Sequence, residues 1–341
     1  MKVLLRADAS PTQGTGHVMR CLTLAEALRR AGHEVRVATN HSGVDWLENL
    51  ISRQDVSVER VPQHSLSSDL IAAFRPDWLV VDSYEIDAAL ISQARASTKV
   101  LAIVDGDDRS IDADVYVDHN IGAEKLAWPD SVRPRLLAGS RYALIRQAVL
   151  DVRRNAPWEL ATDVPHVVAV MGGSDPTGMI VPVASALARA STSLSATIVC
   201  APAWRTRVDA IVAGHTGLHV VPPTNDLPAL LGTADIAVSA AGTSSWELCT
   251  LGIPSVLVEV VDNQTEGLRA MTAQGLVIGI SPRLMTSTEL EVSLRESLDS
   301  LCTDAGKRRE LSQRCLDEFD GRGAERVVTA MERATSDTAQ S

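Results

Sequence analysis

The stretch RADASPTQGTGHVMRCLTLAEALRRAGHEV, residues 6–35, decides the fold of the first half of the chain. It follows a short apolar run, and its own apolar residues then recur at helical spacing, which predicts a strand, a turn and an amphipathic helix packed on a sheet. Gly14 and Gly16 permit a tight turn that a ligand can approach closely. Gly32 ends the predicted helix. The helix start offers free N–H groups to a diphosphate-bearing ligand, although the turn lacks the third glycine of a dinucleotide fingerprint.

His17 lies between that glycine-rich turn and the body of the predicted helix. An imidazole suits general-base chemistry at neutral pH, so His17 could act on whatever the turn binds. The spacing alone leaves a second interpretation open, in which His17 only caps the helix.

The bulk composition describes a large chain with an aliphatic core. Its 341 residues favour two domains, and 45% apolar with 22% charged residues is typical of globular proteins. Aromatic residues make up only 3%, so Ala, Val and Leu must fill the core. The formal net charge of −11 argues against nucleic acid or an anionic membrane as partner, while a small anionic ligand can still be held locally.

The cysteines and the N-terminus predict a cytoplasmic enzyme or binding protein. The start MKVLLRAD is too short and too soon charged for a signal peptide, and no long apolar segment suits a membrane span. The cysteines have neither zinc-site nor disulfide-framework spacing, so reduced thiols are expected at Cys21, Cys200, Cys249, Cys302 and Cys315.

Short β-branched runs alternate with amphipathic stretches, which predicts parallel sheets covered by helices. The expected fold is α/β, with two doubly wound Rossmann-type domains facing a central cleft. The predicted domains are 1–150 and 164–334, with a linker at 151–163 and a flexible tail at 335–341. The predicted strands are 2–8, 35–39, 77–82, 99–105 and 114–118 in the first half, and 166–171, 195–200, 218–222, 235–240 and 254–260 in the second.

A second glycine-rich turn, MGGSDPTG at residues 171–178, follows the first predicted strand of the second half. The backbone of Gly173 and the hydroxyl of Ser174 are candidate donors, and Asp175 before Pro176 fits a helix N-cap. The turn is either a second anion-binding loop or a plain strand-to-helix connection.

A third turn opens the stretch SAAGTSSWELCTLGIPSVLVEVVDNQ, residues 239–264. The predicted helix start in this stretch carries hydroxyls and backbone N–H groups, and such a position favours phosphate binding. The groups belong to Ser239, Gly242, Thr243 and Ser244. Glu247 follows about one turn into the helix. It could accept both hydroxyls of a ribose, or it could simply complement the positive end of the helix dipole.

The ordered set of motifs resembles the PseG-type UDP-sugar hydrolases of the pseudaminic acid pathway, relatives of the MurG-type N-acetylglucosaminyltransferases with the GT-B fold. The resemblance covers nearly the whole chain. It rests on RADASPTQGTGHVMRCLTLAEAL, VVDSYEID, VDGDDRSIDADVYVDHN, LLAGSRYALIR, MGGSDPT, ADIAVSAAGTSSWELCTLGIPSVLVEVVDNQ and GRGAERV, which follow the order of the family.

The resemblance implies a set of site residues. The catalytic histidine of the family matches His17, which would activate water at the anomeric carbon, and its active-site tyrosine matches Tyr84. Asp8 and Arg20 match polar positions around the first turn, where Asp8 could orient the ring of His17 and Arg20 would contact the substrate, as would Gly14 and Gly16. The UDP would lie mainly on the C-terminal domain, against Gly173, Ser174, Gly242, Thr243, Ser244 and Glu247, with Asn263 and Gln264 on the sugar or phosphate side.

The implied activity is inverting hydrolysis of the anomeric C–O bond of a UDP-linked amino-deoxy sugar, which releases UDP and free sugar without a metal or other cofactor. Two alternatives remain open. The chain could be a glycosyltransferase that passes the sugar to a soluble acceptor, or a nucleotide-sugar binding protein without catalysis. No apolar, membrane-facing segment lies near the N-terminal loops, which favours hydrolysis over transfer to a lipid. A monomer and a homodimer are both compatible with the sequence.

The segment VDGDDRSIDAD, residues 104–114, departs from the pattern of this family. Gly106 stands where the family has the second of two aspartates, so the identity of the sugar is open. The neighbouring charged residues either shape a different sugar pocket or form a solvated turn; they are Asp105, Asp107, Asp108 and Arg109.

Overall fold

The computed structural model describes residues 1–10, 14–42, 44–52, 56–154, 156–157, 163–172, 175–224 and 226–339. The chain folds into two compact units. The first unit contains Met1–Gln147 and Gly321–Ser341, and the second contains Ala148–Asp320.

The first unit is built on a sheet of seven parallel strands. They are β1 (Lys2–Asp8), β2 (Glu34–Asn40), β3 (Ser57–Arg60), β4 (Trp78–Asp82), β5 (Lys99–Ile103), β6 (Val115–Asp118) and β7 (Leu136–Ala138). Their order across the sheet is β3-β2-β1-β4-β5-β6-β7. The side chains of β4 are buried throughout, as expected for a central parallel strand with both faces covered.

The helices of the first half are α1 (Gly16–Arg30), α2 (Asp45–Ser52), α3 (Ser68–Phe74), α4 (Ala88–Ala94) and α5 (Gln147–Asp151). The apolar face predicted for the first helix is buried against the sheet, since Val18, Cys21 and Leu28 have no exposed surface. The chain passes from the first unit to the second within α5.

The second unit is built on six parallel strands. They are β8 (His166–Val170), β9 (Ser195–Val199), β10 (Leu218–Val221), β11 (Ile236–Ala240), β12 (Ser255–Val258) and β13 (Ile278–Ile280), in the order β10-β9-β8-β11-β12-β13. Its helices are α6 (Ile180–Ala188), α7 (Arg205–Val212), α8 (Leu227–Leu231), α9 (Ser244–Leu251), α10 (Thr265–Ala273), α11 (Ser287–Thr303) and α12 (Ala305–Glu318).

The last helix, α13 (Gly323–Ala339), corrects the predicted domain limits. The sequence interpretation placed residues up to 334 in the second domain and a flexible tail after them. In the structure Val327 and Met331 are fully buried in the core of the first unit, and Trp78 Nε1 donates a hydrogen bond to Thr335 Oγ1. The chain therefore returns to the first unit, and the tail is helical as far as Ala339.

The predicted linker is also revised. The boundary between the units falls at Gln147, and residue 151 is the last residue of a helix. Within the predicted linker, residues 155 and 158–162 lie outside the described residues.

Each sheet reverses its strand order at one point, between β1 and β4 in the first unit and between β8 and β11 in the second. In open parallel sheets such points leave a crevice outside the carboxyl ends of the strands, where ligands bind. The side chains that follow these strand ends are therefore the first place to look for function.

Within the described residues, no helix has both the length and the apolar character needed to cross a membrane.

Candidate active site

His17 is the second residue of α1, directly beyond the carboxyl end of β1. It is 6% exposed, and its Nδ1 lies 2.6 Å from Oδ1 of Asp82, the last residue of β4. The two side chains meet because β1 and β4 are neighbouring parallel strands whose carboxyl ends share one edge of the sheet.

Asp8 does not orient His17, contrary to the sequence-based expectation. Its carboxylate accepts two hydrogen bonds from Arg6 and one each from the backbone N–H groups of Asn40 and His64. Burial alone would raise the pKa of Asp8, but the hydrogen bonds from Arg6 and from the backbone outweigh it and lower that pKa. Asp8 therefore holds the end of β2 and the loop that contains His64 next to the end of β1.

The partners of Asp82 determine which nitrogen of His17 carries the proton. Arg20 donates to both carboxylate oxygens of Asp82, at 2.7 and 2.8 Å. Burial would raise the pKa of Asp82, yet Arg20 and His17 outweigh it, so Asp82 is an ionised acceptor. Two groups meet Nδ1 of His17: the Asp82 carboxylate, an acceptor, at 2.6 Å, and Nη2 of Arg20, a donor, at 2.8 Å. In the neutral ring, the shorter contact with the ionised carboxylate favours a proton on Nδ1 that is donated to Asp82, and this tautomer has its lone pair on Nε2. Nε2 makes no hydrogen bond within the described part of the chain.

Arg20 lies at the centre of this network and is 7% exposed. It was expected at the ligand, but its N–H groups point to acceptors of the protein. Besides Asp82, it reaches Asp105 Oδ1 at 2.8 Å and Oδ2 at 3.2 Å. Burial opposes its charge, but Asp82 and Asp105 outweigh burial and raise the pKa of Arg20.

His119, which follows β6, contacts the same guanidinium, with 3.1 Å between His119 Nε2 and Arg20 Nη1. Burial and the positive charge of Arg20 lower the pKa of His119 to about 4. The ring is therefore neutral at pH 7 and can accept a proton of the guanidinium in a hydrogen bond.

Tyr84 is 54% exposed but is contacted on several sides. Its hydroxyl donates to Asp105 Oδ2, its ring meets the His17 ring edge-on at 4.8 Å, and the Arg109 guanidinium lies 5.0 Å from its ring centroid. The structure thus brings together the predicted residues His17 and Tyr84.

The segment around Gly106 contains two kinds of contact. Asp105 belongs to the charged network, whereas the Asp107 and Asp108 carboxylates accept backbone N–H groups two residues further on and so form a local turn. Gly106 has a φ of +85°, a backbone conformation that an aspartate would adopt only with strain. Its N–H donates to Asp118 at the end of β6.

Sequence analysis missed Asp82, although it lies in the motif VVDSYEID. The available signal was topological. In a doubly wound sheet the end of β4 lies next to the end of β1, so an aspartate ending β4 faces the start of α1.

The first glycine turn is partly described. Gly14 has a φ of +82° and donates its N–H to Ser10 O, and Gly16 is the first residue of α1. Residues 11–13 lie outside the described residues.

The carboxyl end of β11 in the second unit has a different character. Helix α9 begins at Ser244, and its N-cap residue Thr243 makes no side-chain capping hydrogen bond. Among the described residues, the buried hydroxyls of Ser239 and Ser245 have no hydrogen-bond partner. Glu247 is 7% exposed.

Gln264 lies beside Gly242, because a Cβ built on Gly242 would come within 3.4 Å of Gln264 Nε2. Gln264 Oε1 accepts the N–H of Val260, which fixes the amide and leaves Nε2 toward that glycine. Asn263 lies in the same short 3-10 turn and is exposed. The structure therefore brings together the predicted residues Gly242 and Gln264.

The second glycine turn is described only at its flanks, since Gly173 and Ser174 lie outside the described residues. Asp175 was predicted to cap a helix starting at Pro176. Helix α6 instead begins at Ile180, and the Asp175 carboxylate accepts the N–H groups of Met179 and Ile180.

No group of three or more His, Cys, Asp or Glu side chains in the described ranges could hold a metal ion. The five cysteines are all free thiols.

The two parallel sheets of seven and six strands make this chain a GT-B-like α/β protein. Over 97% of this chain and 99% of the other, the fold is similar to the crystal structure of Acinetobacter baumannii MurG, with a TM-score of 0.71 and 17% identity. The UDP-GlcNAc 2-epimerase from Neisseria meningitidis bound to UDP-GlcNAc is similar over 98% of this chain and 100% of that chain, with a TM-score of 0.69 and 13% identity.

Among sequences, the chain is similar to the spore coat polysaccharide biosynthesis protein SpsG of Bacillus subtilis. The two are 23% identical over 317 residues, which cover 87% of this chain and 92% of SpsG. No protein-family model matches the chain.

Proposed function

We propose that this chain hydrolyses a UDP-linked amino-deoxy sugar, with His17 as the general base. The observation that carries the proposal is the pairing of His17 Nδ1 with the buried, ionised Asp82, which leaves the Nε2 lone pair available. A histidine fixed in this tautomer by a carboxylate is an effective acceptor of a proton from water.

The reaction follows from that acceptor. Nε2 of His17 takes a proton from water as the water oxygen attacks the anomeric carbon. The bond from that carbon to the diphosphate oxygen breaks on the opposite face, and its electron pair leaves with UDP. The products are UDP and the free sugar with inverted configuration. Asp82 stabilises the imidazolium that forms, because it already accepts the Nδ1–H.

The second unit supports the choice of a nucleotide as the leaving group. Among the described residues, the buried hydroxyls of Ser239 and Ser245 at the end of β11 and the start of α9 have no partner, and they are donors suited to phosphate oxygens. Glu247, one turn further on, is suited to ribose hydroxyls. The UDP-GlcNAc bound to the Neisseria meningitidis epimerase, which has a similar fold, supports the same choice.

The direct experiment incubates the protein with a panel of UDP-sugars and follows the release of UDP. Release without any added acceptor is the expected result. Release that requires an acceptor hydroxyl would replace hydrolysis by glycosyl transfer, since the same base could deprotonate either nucleophile. Binding without release would leave only a nucleotide-sugar binding protein.

His17→Asn links the activity to the residue. The variant should lose turnover and keep the affinity of the wild type for UDP, because the ring acts on the sugar side. The matched control is His215→Asn, since His215 is exposed in the second unit. A large loss of UDP binding in His17→Asn would contradict the assigned role.

A further inference from the structure

Tyr84 is an exposed side chain with an unusually constrained hydroxyl. Its ring lies between the edge of His17 and the guanidinium of Arg109, and its O–H points to Asp105. Free surface tyrosines keep their hydroxyl proton available to solvent. In Tyr84, the acceptor Asp105 determines the direction in which the hydroxyl proton points.

Asp105 can only accept hydrogen bonds, because it is ionised and its four lone-pair positions are used. Oδ1 accepts from Arg20 Nη1 and from Asn120 Nδ2, both at 2.8 Å. Oδ2 accepts from Arg20 Nη2 at 3.2 Å and from the Tyr84 hydroxyl. Burial works to raise the pKa of Asp105, but Arg20 outweighs it and holds that pKa far below its usual range. The Tyr84 hydroxyl must therefore be the donor.

A phenol has a single proton, so the Tyr84 oxygen offers only lone pairs to any other partner. Within the described residues, nothing donates a hydrogen bond to that oxygen. Burial and the negative charge of Asp105 raise the pKa of Tyr84, so the hydroxyl stays protonated across the physiological range.

We infer that Tyr84 Oη accepts a hydrogen bond from an O–H or N–H group on the substrate side, and that Asp105 is the positioning residue that fixes this polarity. The inference rests on the proposed function in identifying the donor. The donor is either the attacking water or a hydroxyl or amide N–H group of the sugar. Tyr84 would then discriminate against sugars that present only an acceptor or a hydrogen at the position it meets.

The test for a sugar donor compares ligands that differ in one group. Titration calorimetry on the full chain uses UDP-N-acetylglucosamine, UDP-glucose, and the deoxy and fluoro analogues of UDP-glucose at each ring position. Fluorine can accept weakly but cannot donate. At one position the deoxy and fluoro analogues should both bind about threefold to tenfold more weakly than the hydroxyl parent. Tyr84→Phe should abolish that difference, whereas the matched control Tyr142→Phe should keep it.

The test for a water donor uses the kinetic constants. If the attacking water is the donor, no ring position shows such coupling, and Tyr84→Phe lowers kcat about tenfold with KM unchanged. The inference is overturned if Tyr84→Phe changes neither the analogue ranking nor kcat. It is also overturned if a fluoro analogue binds as well as its hydroxyl parent where the deoxy analogue fails, because Tyr84 would then be a donor.

The calorimetric test also separates this inference from the proposed function. Absence of UDP release from every substrate refutes hydrolysis, while coupling between Tyr84 and one ring position would still support the acceptor role. Without release and without coupling, both proposals fail.

Asp105→Asn tests the positioning role, because an asparagine amide can donate to Tyr84 Oη and free the phenol proton for the ligand. In this variant the fluoro analogue should bind better than the deoxy analogue, a reversal that a purely structural role would not produce. Equal binding of the two analogues would refute the role of Asp105.

If Asp105→Asn does not fold, carbon NMR of the wild-type protein labelled at tyrosine still tests the role of Asp105, because it measures the pKa of Tyr84. Tyr84→Phe identifies the signal of Tyr84. Tyr84 should ionise above the value of about 10 for a free tyrosine, and ionisation at or below it would refute the role of Asp105.

Discussion

The carboxyl ends of β1 and β4 in the first unit differ from that of β11 in the second unit in how their polar groups are satisfied. In the first unit Arg20 links Asp82 and Asp105, and these carboxylates also accept from His17 and Tyr84. In the second unit the N-cap residue of α9 makes no side-chain capping bond, and two buried hydroxyls have no partner.

This difference suits the two sets of strand ends to two different roles. Groups that already satisfy one another are preorganised, which suits a base that must hold one tautomer during a reaction. Buried donors without partners carry a desolvation cost that a ligand can remove, which suits a binding site. On this basis we propose chemistry for the first set of strand ends and nucleotide binding for the second.

The largest effect should come from Asp82→Asn, which removes the carboxylate that fixes His17. The rate of UDP release should fall about a thousandfold, while UDP affinity stays within about twofold, because the binding groups lie in the other unit. Steady-state kinetics and calorimetry measure the two quantities. The control is Asp130→Asn at a fully exposed aspartate. An unchanged rate in Asp82→Asn would show that the dyad is not catalytic.

Arg20→Met should produce the largest loss of stability. It leaves the buried carboxylate of Asp82 and the partly buried one of Asp105 without their cation, which costs about 3–5 kcal/mol in the free energy of unfolding. Denaturant titration measures the loss, with Arg189→Met at an exposed ion pair as the control that changes by less than about 1 kcal/mol.

The pH dependence of that loss follows from the lowered pKa values of Asp82 and Asp105. Because their folded-state pKa values lie below the unfolded ones, the stabilisation is complete above about pH 4 and is lost as the pH falls further. The difference in the free energy of unfolding between the wild type and Arg20→Met should therefore become smaller in acid. A gap that is independent of pH would exclude the ion pairs as its cause.

Glu247→Ala should weaken UDP binding by about 1–3 kcal/mol, because ribose hydroxyls would lose a buried acceptor. Calorimetry with UDP measures the change, and Glu266→Ala on the exposed side of α10 serves as the control. An unchanged dissociation constant would assign Glu247 a structural role.

Ser245→Ala should have the smallest effect, with stability increasing while UDP binding weakens. Removing a buried hydroxyl without a partner should raise the free energy of unfolding by up to about 1 kcal/mol, while UDP binding weakens a few-fold. Ser255→Ala is the matched control, since Ser255 is equally buried but donates to Ile253 O, and should lower stability by about 1 kcal/mol. A lower free energy of unfolding in Ser245→Ala would refute the contrast between the strand ends of the two units.

The sequence predicts the α/β fold because parallel strands buried on both faces read as continuous apolar runs. All ten predicted strands are present. The three strands that were missed, β3, β7 and β13, have three or four residues and lie at sheet edges. A short edge strand buries little surface, so its sequence carries no clear period.

Side-chain partners were harder to predict than elements. The expectation for Asp8 came from its match to a polar position around the first turn, and that match does not show that Arg6, on the same side of β1 two residues away, is its partner. Helix α13 shows a similar limit. Its apolar stripe predicts burial, but it does not say which of two cores receives the helix.

The position of one proton on His17 tests the central claim most directly. Nitrogen NMR of the imidazole in the wild type distinguishes a protonated ring nitrogen from one with a free lone pair. In the neutral ring, Nδ1 should carry the proton and Nε2 the lone pair, and Asp82→Asn should disturb this assignment. A neutral ring with its proton on Nε2 would leave no base facing the sugar and would contradict the account.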